Sequence, residues 1–104
     1  MHVQVNTDSS VEATEELIRE VEAAVESTLS RFADRVTRVE VHLSDVNSEK
    51  GGETDKRCLL EVRLAGRRPV AVSHRAGSVQ AAVAGAAEKL KRALDRSLGR
   101  LKAY

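Results

Sequence analysis

Residues 57–65 read Arg-Cys-Leu-Leu-Glu-Val-Arg-Leu-Ala, and their alternation decides the fold. Cys58, Leu60, Val62 and Leu64 fall on one side of an extended chain, and Leu59, Glu61 and Arg63 fall on the other. A strand of this kind needs a cover for its apolar side and leaves the other side to water. Upstream, Thr37 to Val46 alternates in the same way, with Val39, Val41 and Leu43 inward and Glu40, His42 and Ser44 outward. Downstream, Gly66-Arg67-Arg68-Pro69 is a turn. Val70 to Arg75 is then a further strand with Val70 and Val72 inward. Near the N-terminus, His2 to Thr7 sets Val3 and Val5 against His2, Gln4 and Asn6, a short half-buried strand. The polar stretch Asn47 to Asp55, with Gly51-Gly52 inside it, reads as a loop.

Two segments switch to a helical period. Leu17, Ile18, Val21, Val25, Leu29 and Phe32 recur at three-and-four spacing, the apolar stripe of an amphipathic helix. Its start has two candidates: Ser9, with Glu12 at capping-box spacing, and Thr14. Val79, Val83, Ala86, Ala87, Leu90, Leu94, Leu98 and Leu101 form the stripe of a long last helix, for which Ser78 is the N-cap. Gly85 weakens that helix and fits a close approach to the first helix or the sheet. The order is β-α-β-β-β-α. It implies an α+β fold, a four-stranded mixed sheet with two helices packed on one face, in a single domain over residues 1–104. The first two strands, joined by a helix, are expected to run parallel through a right-handed crossover. The remaining strands form an antiparallel meander.

The formal net charge of +1 conceals a division along the chain. Residues 1–52 carry 5 Lys/Arg against 11 Asp/Glu, whereas residues 53–104 carry 12 against 5. The first helix accounts for much of the acid, through Glu12, Glu15, Glu16, Glu20, Glu22 and Glu26. The last helix carries Lys89, Arg92, Arg96 and Arg100 within an arc of roughly 80° away from its apolar stripe, with no acid inside the arc. The turn adds Arg67 and Arg68, the third strand Arg63, and the fourth strand ends in His74-Arg75. Late cations suit the helix dipole on their own account. Four in register, joined by those of the turn and strands, point to a polyanion-binding surface that neutralises phosphates. Phe32 and Tyr104 are the only aromatics, so recognition by base stacking is not expected.

Other chemistries are poorly supplied. Asp45 to Gly52 faintly suggests a calcium loop, but Lys50 stands where glycine is required and Lys56 where the bidentate glutamate belongs. No GK[ST] follows Gly51-Gly52, which disfavours a nucleotide-phosphate loop. His2, His42 and His74 sit singly on three strands and read as surface histidines, with His2 and His42 on the open side of the sheet. Cys58 alternates with core residues and reads as a buried, inert thiol. One cysteine cannot form an internal disulfide, and no run approaches the ~20 apolar residues of a membrane span. The N-terminus lacks a basic start and an apolar signal core. No enzyme, cofactor, metal, small-molecule substrate or membrane partner is expected, and the expected location is the cytoplasm.

Several stretches resemble one family. Val11-Glu12-Ala13-Thr14-Glu15-Glu16-Leu17 resembles the V-E-x-T-E-x-L start of the first helix in the ribosome hibernation-promoting factor family, also called ribosome-associated inhibitor A or sigma-54 modulation protein. Phe32-Ala33-Asp34-Arg35-Val36 is similar to the approach to its second strand. Ala81-Ala82-Val83, Glu88-Lys89-Leu90 and Arg92-Ala93-Leu94 are similar to its last helix. The resemblance implies a cytoplasmic bacterial protein whose partner is the small ribosomal subunit and its rRNA; a monomer is expected. There it would occupy the decoding channel and hold idle ribosomes inactive, with Lys89, Arg92, Arg96 and Arg100 as RNA contacts. The chain departs from the family in its Glu-rich first helix, where Arg19 and Arg31 are the few cations, and in Ala84, where an Asp is usual. Ending at Tyr104, it resembles the short form, which is not expected to pair ribosomes by itself. The competing reading is a protein-interaction module that uses the acidic first helix or a sheet edge.

Overall fold

The computed structural model describes residues 1–47 and 54–102. Strand β1 (His2–Thr7) is followed by helix α1 (Glu15–Thr28) and a single 3₁₀ turn (Ser30–Phe32). Strands β2 (Val36–Asn47), β3 (Thr54–Leu64) and β4 (Val70–Ala76) follow, then helix α2 (Val79–Lys102). The sheet order is β1-β2-β3-β4. β1 pairs parallel with β2, and the other two pairings are antiparallel, which makes the sheet mixed as expected.

The inward residues Val39, Val41, Cys58, Leu60 and Val62 are fully buried. Against them pack Val21, Val25 and Leu29 from the first helical segment and Ala82, Val83, Ala86, Ala87, Leu90 and Leu94 from α2. The helices share this face unequally, α1 lying against β1 and α2 against β3 and β4. Burial pushes the Cys58 thiol up to about 12, because a thiolate loses its hydration in apolar surroundings.

At the element ends the structure decides one open choice and corrects two expectations. Thr14, not Ser9, caps α1: its hydroxyl accepts from the Leu17 amide at 3.1 Å. Ser9 belongs instead to a turn in which the Asp8 carboxylate accepts from the Ser10 amide at 2.9 Å. Those Ser10 hydrogen bonds, the hydroxyl's first, hold the Asp8 carboxyl below its ordinary range. The Ser10 hydroxyl also accepts from the Asp45 amide at 2.9 Å, tying the linker to β2. At its other end α1 stops at Thr28, so Leu29 and Phe32 are buried as the stripe requires but lie beyond the α-helix. Ser27, Thr28 and Ser30 are poor helix formers, which favours an end to the α-helix in this stretch. The β2–β3 hairpin is also longer than its polar sequence suggests, since Asn47 pairs with Thr54 and Val46 with Asp55. An ion pair of Lys56 with Asp45 at 2.5 Å lies on this extension. Of the segment read as a loop, residues 48–53 lie outside the described residues.

The close approach at Gly85 is to the sheet. His74 shares a side of β4 with Val70 and Val72, and its ring lies where a Cβ on Gly85 would stand. This half-buried imidazole under α2 replaces the surface histidine expected at that position. Gly85→Ala is therefore expected to lower the melting temperature, although alanine favours a helix interior by about 1 kcal/mol. In a His74→Ala background the same change should raise it, so thermal unfolding of the four proteins gives a coupling of known sign. Cys58 should resist thiol reagents in the folded chain and react freely once guanidinium unfolds it, which a colorimetric thiol assay measures.

Candidate nucleic-acid interface

The exposed flank of α2 arises from its 3.6-residue period, because the buried stripe from Ala82 to Leu98 leaves one side for solvent. Lys89, Arg92 and Arg96 are exposed on it and extend over about 10 Å of helix. Arg100 belongs to the same helix, but its side chain lies outside the described residues. Lys89 Nζ donates to the Ser73 carbonyl at 3.0 Å, which sets the head of the stripe beside edge strand β4. Farther along, Arg67 Nη1 donates to the Ser97 carbonyl at 3.4 Å and brings the β3–β4 turn against the later part of α2. Gly66 makes that turn with φ of 70°, a conformation that favours glycine. Arg67 and Arg68 are both exposed in it.

One acid of α2 is drawn away from this stripe. Asp95 forms an ion pair with Arg31, whose guanidinium also stacks on Phe32 at 4.8 Å from the ring centre. That contact ties the 3₁₀ turn to α2 on the α1 side. Lys89, Arg92, Arg96, Arg67 and Arg68 form no ion pair among the described residues. Phe32 is buried, so among the described residues no aromatic ring is presented for stacking.

The other two predicted cations stand elsewhere. Arg63 and Arg75 project from the open side of the sheet, opposite the helices, as their alternation with buried Val62 and Leu64 and with inward His74 requires. Arg75 reaches Asp55 at 3.5 Å on that side. The eight predicted residues therefore do not make one surface. Six belong to α2 and the turn docked on it, and two to the open face.

The open face has an order that reading single strands does not reveal, because it depends on register. Arg38 stands opposite Arg63, Glu40 opposite Glu61, His42 opposite Leu59, and Arg57 opposite Arg75. Arg38 donates to Gln4 and lies 3.4 Å from Glu40, and His42 Nε2 lies 2.9 Å from Glu61 Oε1. Beside His42 a pocket of about 240 Å³ is lined by Asn6, Thr7, Asp8, Ser44, Arg57 and Leu59 among others. Arg57 was missed as a notable cation, and its outward parity in the β3 alternation was the signal that could have marked it.

Two solved structures share this architecture. The Thermus thermophilus Protein Y N-terminal domain has a TM-score of 0.72 at 23% identity, with 92% of this chain and 98% of that one covered. A ribosomal subunit interface protein from Coxiella burnetii has a TM-score of 0.73 at 20% identity, covering 95% and 99%. At such identities the likeness is one of fold. No curated protein sequence matches the chain. The family model described as sigma 54 modulation protein / S30EA ribosomal protein matches residues 3–102, and the chain belongs to that family.

Proposed function

We propose that this protein is a ribosome-binding translation inhibitor that acts by occupancy. On this reading it lodges in the decoding channel of the small subunit and keeps idle ribosomes from engaging mRNA and tRNA. The observation that carries the reading is the acid-free cation stripe of α2, in a chain of the S30EA ribosomal protein family. The names of its structural neighbours, one a ribosomal subunit interface protein, point the same way.

The physics suits rRNA. Lys89, Arg92, Arg96 and Arg100, joined by Arg67 and Arg68, would neutralise phosphates and release their counterions. Arginine's fork engages two phosphate oxygens at once. Contacts to phosphate and sugar fix position without reading sequence, which suits a surface that offers no stacking ring. The acidic face of α1 lies on the β1 side of the helix layer, whereas the stripe lies beside β4. A polyanion would thus be attracted to one flank and repelled from the other, which orients the bound domain. The protein would act as a monomeric factor in the cytoplasm.

Co-sedimentation with small subunits over a range of salt tests the proposal. Four phosphate contacts give a log–log slope of affinity against salt on the order of −3 to −4. Binding that ignores salt, or no ribosome association at low salt, would overturn it. Replacing Lys89, Arg92, Arg96 and Arg100 together by Ala should abolish association while circular dichroism still reports the native fold. Undiminished binding by that variant would move the site off α2.

A further inference from the structure

The open face of the sheet carries a second cluster that the rRNA reading does not use. Glu40 and Glu61 are register partners on β2 and β3, so two carboxylates stand directly opposite each other. Like charges in that position destabilise a sheet unless a cation relieves them. His42, two residues along β2 on the same side, brings its Nε2 to 2.9 Å from Glu61 Oε1. One ligand atom from each of Glu40, His42 and Glu61 lies within 4.8 Å of the other two.

We propose that Glu40, His42 and Glu61 form a Zn²⁺ site bridging β2 and β3. Tetrahedral ligands at zinc-ligand bond lengths stand about 3.3 Å apart. Rotation of the two flexible glutamate side chains would bring this set, already within 4.8 Å, to that spacing. One imidazole nitrogen and two carboxylate oxygens suit zinc better than magnesium, which prefers oxygen ligands and retains its waters. Water would complete the coordination, since all three side chains are partly open to solvent. Arg38, 3.4 Å from Glu40 Oε1, would orient that carboxylate, as outer partners of metal-binding carboxylates do. Of the other charged groups of this face, Arg57, Arg63 and Arg75 stand in the flanking rows, Asp55 lies against Arg75, and Asp8 lines the pocket beside His42. The ion would replace the His42–Glu61 contact and join the two central strands through side chains as well as backbone. Protons compete for the imidazole, so zinc uptake should weaken as pH falls.

The test is titration of the chelator-stripped, untagged full chain with zinc chloride, followed by calorimetry and by imidazole nitrogen NMR. Uptake should saturate at one ion per chain and shift the His42 imidazole resonances, leaving those of His2 and His74 in place. His42→Ala and the near-isosteric Glu61→Gln should each weaken binding by at least about tenfold, whereas His2→Ala should not change it. No uptake by the native chain, equal uptake by His42→Ala, or a shift centred on another histidine would each overturn the proposal. None of these readouts involves the ribosome, so they succeed or fail apart from the rRNA reading.

Discussion

The sheet has only one apolar face, and both helices must share it. Everything else in the structure follows from that constraint. β2 and β3 supply its fully buried centre, with Val39, Val41, Leu60 and Val62 and the thiol of Cys58 between them. Burying a Val or Leu fully contributes about 1.5–3 kcal/mol each. A mid-helix glycine costs about 1 kcal/mol, so Gly85 is a small concession for seating α2 over β4 with the His74 ring beneath it. Because α1 takes the β1 side and α2 the β3–β4 side, the charge division along the chain becomes a division across the helix layer.

Most of this fold was legible from alternation, because a half-buried strand with period 2 and an amphipathic helix with period 3.6 leave distinct marks. What sequence could not resolve lies where two local solutions compete. Ser9 and Thr14 both offer a hydroxyl ahead of the same helix. The outcome turns on Asp8 and Asp45, which engage Ser10 and hold that segment in a turn against β2. The hairpin extension beyond Val46, with Asn47 facing Thr54 and Thr54 followed by Asp55 and Lys56, is polar and so carries no hydrophobic signal. It is set by pairing and by the Asp45–Lys56 contact. His74 was read as a surface residue, since nothing local reveals that the residue above it in the fold is a glycine.

The candidate interface was legible within α2 and poorly legible across elements. A helix sets its own angular positions, so Lys89, Arg92 and Arg96 could be grouped by arithmetic alone. Joining them to the turn needed the Arg67–Ser97 contact, which no periodicity encodes. Arg63 and Arg75 do not join them on one surface, since strand parity sets those two opposite the helix layer. The carboxylates of Glu40 and Glu61 were likewise visible one by one, but their opposition is a matter of register between strands.

The two faces also differ in how their cations would respond to a polyanion. On the open face Arg57 and Arg63 form no ion pair among the described residues, but Arg38 stands beside Glu40 and Arg75 beside Asp55, each of these two already partly neutralised within the protein. Such cations have few counterions left to release, and engaging a phosphate would mean surrendering a neighbour. On α2 Asp95 is held by Arg31 on the other side and the stripe cations form no ion pair among the described residues, so the stripe keeps its charge. Counterion release scales with the phosphates neutralised by available cations, not with the number of Lys and Arg in the chain. A protein of net charge +1 can therefore present a strongly cationic flank. What makes it so is the placement of its acids as much as that of its bases.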